Sequence, residues 1–344
     1  MIKINGDACN NMLRDTVVPK FAFDKKADFA EYKRALKEKF TELFGFSEIE
    51  KNVCPQKVTI EYEKKTDKYR QIRFVIETEK ENYVPCYLLI PSGNRKKYPV
   101  AITLQGHSTG FHNSIGETKC EWDEKYMPRG AFALQAVENG FAALAIEMRG
   151  MGELKTFVTE YAGETPLNCQ QHARMALLLG RTLLGERIWD VSRAIDALLL
   201  FPEADAEKIL ITGNSGGGTV SYYAACYDER IKITAPSCSF CPYPDSIMSI
   251  LHCICNFVPK AYLNFDMQDL AALIAPRRLS VIAGEKDPLF PIGGVKKGYE
   301  TLREIYRATD AEKNLSLVVT PEAHYWCENI VWKEIKRQAD ELGW

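Results

Sequence analysis

The sequence predicts an α/β fold in which a mostly parallel central sheet carries helices on both faces and antiparallel strands at its N-terminal edge. Short apolar runs alternate with segments of helical periodicity through the later part of the chain. Three segments of alternating polar and apolar residues precede them. A glycine-flanked serine, Ser215, stands between an apolar run and a segment that can be helical. Together these patterns indicate one parallel sheet whose loops carry the chemistry.

The first predicted element is a helix over residues 27–44, where aromatic and leucine residues recur at helical spacing. Because 344 residues suit one α/β domain with an extension better than two domains, we expect two parts. Residues 1–50 should form a helical extension packed on the main domain, and residues 51–344 the main domain itself.

The remaining elements follow in chain order. Antiparallel edge strands are predicted over residues 58–62, 70–77 and 84–90. Buried parallel strands are predicted over residues 100–104, 142–147, 209–212, 231–235, 280–283 and 315–319. Helices are predicted over residues 131–138, 169–184, 186–201, 294–306 and 329–342. Two long interruptions, residues 111–129 and 243–265, should shape a pocket, since long loops in compact domains are often functional.

Composition and charge exclude several classes of protein. A net charge of −2 leaves no basic footprint for nucleic acid and no attraction to anionic membranes. No run of apolar residues reaches the length of a membrane span. The first residues lack the apolar core of a signal peptide, and an odd number of cysteines, eleven, indicates reduced thiols. We therefore expect a cytoplasmic protein.

The segment around Ser215 has the pattern of a nucleophile elbow, G-x-S-x-G, with glycines at positions 213 and 217. A serine hydroxyl is a weak nucleophile, so it must stand exposed on a tight turn where substrate can approach closely. The N–H groups that follow, at a helix N-terminus, then face the negative charge that develops on an attacked carbonyl. The pattern predicts Ser215 as a catalytic nucleophile.

A serine of this kind needs a base, and an acid that orients the base, in the chain order serine, acid, histidine. Of the five histidines only His252 and His324 follow Ser215. His324 comes directly after a predicted strand and is the predicted base. His252 lies within a predicted helix and is the alternative base. If it is not the base, it is expected to be a packed or pocket-lining residue. Asp287, at a strand end before a proline, is the predicted acid, with Glu285 as the competitor.

The oxyanion hole should be formed by two backbone N–H groups. One is that of Gly216, and the other comes from the loop after the strand over residues 100–104. We choose the N–H of His107, with Gly106 or Ser108 as alternatives. The His107 side chain is given no acid–base role.

Side chains in the two interruptions and near the base are candidates for substrate binding. Trp122 lies in the first interruption, and Trp326 follows His324 and could serve as a platform for a sugar ring or acyl group. His252 is a further candidate in the second interruption.

Four cysteines lie close together in sequence, at positions 238, 241, 253 and 255. The first pair has the spacing of a zinc knuckle, but the second pair flanks a single residue and would point differently on a helix. Free thiols that line the site, a structural metal and a disulfide all stay open, and free thiols are the leading interpretation.

Further segments resemble the α/β-hydrolase superfamily, from about Val84 to the C-terminus. Residues 147–152 are similar to its Asp-x-Arg-Gly-x-Gly turn, and residues 190–196 to the helix before its elbow. Residues 244–250 and 273–278 resemble hydrolases grouped with acetyl xylan esterases and cephalosporin-C deacetylases, and dienelactone-hydrolase-like and prolyl-oligopeptidase-like relatives are also similar. The elbow reads Gly-Asn-Ser-Gly-Gly where typical deacetylases carry Gly-Gly-Ser-Gln-Gly.

This resemblance implies an α/β-hydrolase fold and an esterase that deacetylates a small ester, such as an acetylated oligosaccharide, through a Ser-His-Asp triad and an acyl-enzyme. No metal or cofactor is required for that reaction. A peptidase or dienelactone-type hydrolase is the alternative among enzymes, and an inactive binding protein on the same fold is the alternative from another class. Homo-oligomerisation stays open.

Overall fold

The computed structural model describes residues 4–155 and 169–344. Its central sheet has nine strands in the order β1-β2-β3-β5-β4-β6-β7-β8-β9. The strands are β1 (Lys57–Lys65), β2 (Tyr69–Glu79), β3 (Asn82–Pro91), β4 (Tyr98–Leu104), β5 (Ala142–Ile146), β6 (Ala204–Asn214), β7 (Ile231–Ser237), β8 (Arg278–Gly284) and β9 (Leu315–Thr320).

The sheet divides into an antiparallel edge and a parallel body. β1, β2 and β3 pair antiparallel, and β3 also pairs antiparallel with β5. From β5 through β4, β6, β7 and β8 to β9 every pairing is parallel. The predicted fold class is confirmed, including the antiparallel strands at one edge.

The helices of the described residues cover both faces of this sheet. They are α1 (Ala8–Thr16), α2 (Phe29–Phe44), α3 (Phe46–Glu50), α4 (Glu121–Tyr126), α5 (Phe132–Glu138), α6 (Cys169–Leu178), α7 (Leu183–Ala197), α8 (Gly216–Tyr227), α9 (Ala261–Asn264), α10 (Ala271–Ile274), α11 (Ile292–Arg307) and α12 (Glu328–Asp340). Short 3₁₀ turns join several of them.

Alternation along the strands divides the apolar core into two layers. In β4, Val100 and Ile102 belong to one buried cluster, whereas Ala101 between them belongs to the other. The first cluster includes residues of α2, α7, α8 and α11, and the second includes residues of α5 and α12. Strands buried on both faces explain why the parallel strands read as nearly continuous apolar runs.

The N-terminal helix α2 joins the larger of these clusters. The Asp28 side chain accepts a hydrogen bond from the Glu31 N–H and caps the helix, and Gly45, at φ 80°, ends it. Leu36, Phe40 and Phe44 are completely buried. Phe40 and Phe44 face Tyr223 of α8, so α2 packs against the helices that cover the sheet.

Two predicted helices differ from the structure. The helix predicted over residues 169–184 ends at Leu178, because Gly180 takes φ +71° and Thr182 caps a new helix by accepting from the Gly185 N–H. The segment of His252 is a loop followed by a 3₁₀ turn over Ile254–Asn256, so the predicted helix there was wrong. Its short apolar run carries no helical stripe that could bury against the sheet.

Across the two described ranges, no helix has both the length and the apolar character needed to cross a bilayer.

Candidate active site

Ser215 occupies a strained turn between β6 and α8. Its backbone angles are φ 56° and ψ −123°, a conformation that residues with side chains rarely adopt. The turn is possible because the flanking glycines let β6 and α8 approach β4. A Cβ on Gly213 would stand 2.5 Å from the Leu104 carbonyl oxygen, and one on Gly217 would overlap the same atom. These contacts explain the glycine spacing of the motif.

His324 and Asp287 lie at the ends of the last two strands, β9 and β8. The Nδ1 atom of His324 is 2.8 Å from Oδ2 of Asp287. The other carboxylate oxygen of Asp287 accepts hydrogen bonds from the N–H groups of Leu289 and Phe290, at 2.8 and 3.1 Å. Since Nδ1 faces the buried carboxylate, Nε2 is the nitrogen left for a substrate or a nucleophile. The Phe290 ring stacks on the imidazole, with centroids 5.9 Å apart.

Glu285, the competing acid, is placed differently. It is solvent-exposed, whereas Asp287 is buried. The Glu285 backbone N–H donates to the Thr320 carbonyl oxygen and so ties the ends of β8 and β9 together. Of the two carboxylates, Asp287 is the one that hydrogen-bonds His324.

Ser215 and His324 line one cavity of about 390 Å³ at the carboxyl edge of the parallel strands. Open α/β sheets place their ligands at this edge. The size lies within the range of small-molecule sites. The lining residues are Gly106, His107, Ser108, Trp122, Tyr126, Arg129, Asn214, Ser215, Cys253, Leu289, His324 and Trp326.

The predicted oxyanion donors also lie together beside the serine. A Cβ built on Gly216 would be 3.9 Å from the His107 backbone nitrogen, so the two peptide groups are neighbours. Gly106 also lies close to Ser215, since a Cβ built on Gly106 would be 3.3 Å from the Ser215 Cβ. The His107 N–H stays the predicted second donor.

The three predicted substrate-binding side chains differ in exposure. Trp122 is 47% exposed, lines the cavity, and packs against Tyr126 with ring centroids 4.9 Å apart. Trp326 also lines the cavity but is 1% exposed, and its indole N–H donates to Gln135. Trp122 therefore offers the open aromatic surface, while Trp326 is part of the wall.

His252 lies behind the base. Its Nδ1 is 2.8 Å from Nδ2 of Asn256, and its ring meets the edge of Phe290, which in turn stacks on His324. Burial lowers the pKa of His252, so its imidazole is neutral at physiological pH. His252 therefore packs behind Phe290 and His324, in the role of a packing residue.

Two further residues of the cavity wall were not among the predicted substrate-binding side chains. Tyr126 and Arg129 come from the first interruption, and the Arg129 guanidinium lies 4.0 Å from the ring centroid of Tyr325. Little in the sequence indicates their place in the pocket, because one aromatic and one basic residue in a loop follow no spacing that marks a binding site.

The cysteines group differently from the prediction. All eleven lie in the described residues, and none of them forms a disulfide. Cys238 lies beside Asp287 and His324, and the Cys241 thiol approaches the Pro291 carbonyl oxygen. Cys253 and Cys255 instead meet Cys169 and His107, and the four ligand atoms lie within 4.8 Å of one another. Sequence proximity misled here because Cys169 and His107 come from distant loops.

The chain is similar in sequence and in fold to several known proteins. “Putative hydrolase YtaP” of Bacillus subtilis (strain 168) is 25% identical over 264 residues, which cover 73% of this chain and 85% of that protein. The “4-O-methyl-glucuronoyl methylesterase” of Hypocrea jecorina (strain QM6a) is 34% identical over 129 residues, 30% of this chain and 28% of that protein. A solved structure described as “a putative acetyl xylan esterase”, from Bacteroides fragilis NCTC 9343, superposes with a TM-score of 0.80 at 16% identity over 98% of this chain and 95% of that one. A model of the Abhydrolase family matches residues 5–334, and the chain therefore belongs to that family.

Proposed function

We propose that the protein is a serine carboxylesterase with Ser215 as nucleophile, His324 as base and Asp287 as the acid that orients the base. One observation carries the proposal: a serine on a strained turn and a histidine bonded at Nδ1 to a buried carboxylate line the same cavity. Membership of the Abhydrolase family supports it, and so do relatives whose names describe esterases.

The reaction follows from the positions of these groups. Ser215 Oγ attacks the ester carbonyl while His324 Nε2 takes its proton, and Asp287 stabilises the imidazolium that forms. The N–H groups of Gly216 and His107 hold the oxyanion. His324 then protonates the leaving alcohol, and water that the same histidine activates hydrolyses the acyl-enzyme. The chemistry requires no metal.

A sugar ester is the substrate class that suits the cavity wall best. The half-exposed Trp122 offers an aromatic face, and Arg129 and Tyr126 add polar groups beside it. Aromatic faces with nearby polar groups suit a ring that is apolar on one side and hydroxylated at its rim. An acetylated oligosaccharide is therefore the proposed substrate, and the free thiols support action in a reducing compartment.

A panel of esters tests this proposal. We expect turnover of p-nitrophenyl acetate, faster turnover of acetylated xylo-oligosaccharides, and falling rates as the acyl chain lengthens. The panel includes a methyl ester of glucuronic acid, because one relative is named for such a reaction. Preference for that ester would place the sugar on the acyl side and overturn the acetyl assignment. Preference for aminoacyl anilides or lactones would instead favour the peptidase or dienelactone alternative.

An inactive binding protein on this fold is distinguished by covalent labelling. A fluorophosphonate should modify Ser215 in the native protein and leave Ser215→Ala unlabelled. Ser221→Ala is the matched control and should stay labelled, since Ser221 lies on α8, the helix that follows Ser215, and is completely buried. Absence of labelling in a folded native protein would refute the nucleophile assignment.

A further inference from the structure

We propose that His107, Cys169, Cys253 and Cys255 bind one zinc ion beside the active-site cavity. His107 Nε2 lies 3.4 Å from the Cys169 sulfur and 3.3 Å from the Cys255 sulfur, and the Cys169 and Cys253 sulfurs are 3.2 Å apart. All four ligand atoms lie within 4.8 Å of one another. Four donors gathered this closely surround a volume that a single cation can fill.

The donor set is the one that zinc prefers. Three thiolates and one imidazole make the Cys₃His tetrahedron of closed structural sites. Mg²⁺ and Ca²⁺ prefer oxygen ligands, which this set does not offer. Cys169 and Cys255 are each 1% exposed, so these two ligands are shielded from solvent. Because all four positions are filled by protein, the proposed ion has no open position for substrate.

The surroundings fit a charged metal site. Three thiolates and one Zn²⁺ leave a net charge of −1, which a buried neighbour must balance. Arg187 is 1% exposed and lies on α7, which packs against the 3₁₀ turn that carries Cys255. Its Nε and Nη2 donate to the Arg149 carbonyl oxygen, while Nη1 has no hydrogen-bond partner within the described part of the chain. A buried guanidinium with spare donor capacity supplies the balancing charge.

A close backbone contact next to the proposed site involves Gly150 and the ligand Cys169. Gly150, at φ 78°, lies against the first residue of α6, and a Cβ on it would stand 2.8 Å from the Cys169 Cα. The close approach brings the Cys169 thiol to the His107 loop. A structural ion here would tie together the loop after β4, the start of α6 and the loop after β7, three segments that are far apart in sequence.

This arrangement gives the ion a positioning role in the proposed esterase. His107 carries the predicted second oxyanion N–H, and its imidazole would be fixed by the metal. That consequence rests on the proposed function, whereas metal binding itself does not. The experiment therefore measures metal first and activity second.

Zinc content tests the site directly. Protein purified under reducing conditions should carry about one zinc ion per chain by elemental analysis. After extraction with a chelator, the apoprotein should rebind about one equivalent of Zn²⁺, or of Co²⁺ with the thiolate-to-cobalt absorption of a tetrahedral site. Zinc should also protect three thiols from a thiol reagent in the native protein.

Matched variants separate binding from folding. Cys255→Ala should lose stoichiometric zinc, whereas Cys226→Ala, which removes a cysteine of equal burial outside the cluster, should retain it. Cys253→Ala provides a second test at a less buried ligand. Circular dichroism verifies that each variant is folded. If a variant does not fold, the zinc content and zinc rebinding of the native protein still test the site.

Three outcomes would overturn the proposal. The first is a substoichiometric zinc content together with an apoprotein that does not rebind Zn²⁺, and the second is an equal zinc content in Cys255→Ala and Cys226→Ala. The third is a Cys169–Cys253 disulfide that persists in protein purified under reducing conditions. Loss of zinc with full retention of esterase activity would leave the metal site standing and refute its role at His107. Stoichiometric zinc in a protein without esterase activity would refute the proposed function alone.

Discussion

The two carboxylate oxygens of Asp287 have different hydrogen-bond partners. One oxygen is bonded to His324, and the other accepts the N–H groups of Leu289 and Phe290. The backbone bonds fix the carboxylate, and the carboxylate fixes the tautomer of the imidazole. The predicted acid is therefore held in place by backbone N–H groups of its own loop.

Asp287→Asn should reduce kcat by about 10³–10⁴, because an amide cannot stabilise the imidazolium and favours the wrong tautomer. Steady-state kinetics on p-nitrophenyl acetate measure the loss. Glu285→Gln is the matched control, since Glu285 lies on the same loop but is exposed. A larger loss in the control than in Asp287→Asn would move the acid to Glu285.

His324→Ala should lower kcat by a factor of at least about 10⁴ with folding retained, because no other group then takes the serine proton. His252→Ala is the control at the alternative base. It removes a packing partner of Phe290 and should have a much smaller effect on kcat. Comparable losses in both variants would contradict the assignment of His324 alone.

Trp122→Ala tests the sugar-binding wall. We expect KM for an acetylated xylo-oligosaccharide to rise about fivefold, since an aromatic face contributes on the order of 1 kcal/mol to binding. KM for p-nitrophenyl acetate, which has no sugar, is the internal control and should change little. An equal change for both esters would mean that Trp122 supports the loop and does not contact the sugar.

The residues of the candidate site could be proposed from the sequence because each has a local signature. Ser215 lies in a spaced glycine motif, and Asp287 and His324 each follow an apolar strand. The Cys169 and His107 contact had no such signature, because 62 residues separate them and the fold alone brings them together. The exposure of Trp122 and the burial of Trp326 likewise depend on tertiary packing with Tyr126 and Gln135.

Among the elements, a buried ionic cluster joins β2, the turn after β5 and α7. Arg149 Nε lies 2.7 Å from Asp190 Oδ2, and Arg149 Nη2 lies 2.6 Å from Glu79 Oε1. Arg181 shares Glu79, and Glu186 contacts both arginines. The turn over residues 147–152, noted for its resemblance to hydrolases, is thereby fixed to the antiparallel edge of the sheet.

Arg149→Met should lower the free energy of unfolding by roughly 3–5 kcal/mol, because it leaves buried carboxylates without their main partner. Urea denaturation measures the change. Arg337→Met is the control, since Arg337 also bonds two carboxylates but its side chain is 44% exposed. The control should cost at most about 1 kcal/mol. Similar losses in both variants would show that burial does not strengthen the Arg149 cluster.

Element types were easier to predict than element ends. Strands buried on both faces and the amphipathic α11 follow from periodicity, and their predicted ranges agree with the structure to within a few residues. The break between α6 and α7 depends on Gly180 in a left-handed conformation and on the Thr182 cap, signals that a continuous helical pattern obscured. At His252 the apolar run forms a loop in which Leu251 is fully exposed, and periodicity alone could not separate this short run from a helix.

At the scale of the whole molecule, the candidate catalytic residues lie at one edge of the central sheet. The loops after β4, β6, β8 and β9 carry His107, Ser215, Asp287 and His324 in turn. Because the strands are parallel, all four loops leave the sheet on the same side, and residues more than 200 positions apart meet in one cavity. The antiparallel strands and the N-terminal helices contribute burial and stability at a distance from this edge.

Burial elsewhere in the fold gives stability a pH dependence that is separate from catalysis. Burial raises the pKa of Glu147 to about 8, although the N–H groups of Glu153 and Phe111 donate to its carboxylate and act in the opposite direction. The folded state therefore retains a proton that the unfolded state releases near its ordinary value of 4.5. The contribution of this group to stability is full below that value, falls as the pH rises, and is lost above about 8.

Glu147→Gln stays neutral at every pH and can accept the same two N–H groups through its amide oxygen. Its free energy of unfolding relative to the native protein should therefore rise with pH by up to about 1.4 kcal/mol per unit between about pH 5 and about pH 8. Urea denaturation across this interval measures the difference, and Glu153→Gln, at a half-buried neighbour with a lowered pKa, is the control in which no such rise is expected. Parallel pH profiles for the native protein and Glu147→Gln would mean that the buried carboxyl is charged in the fold, with its two backbone donors outweighing the cost of burial.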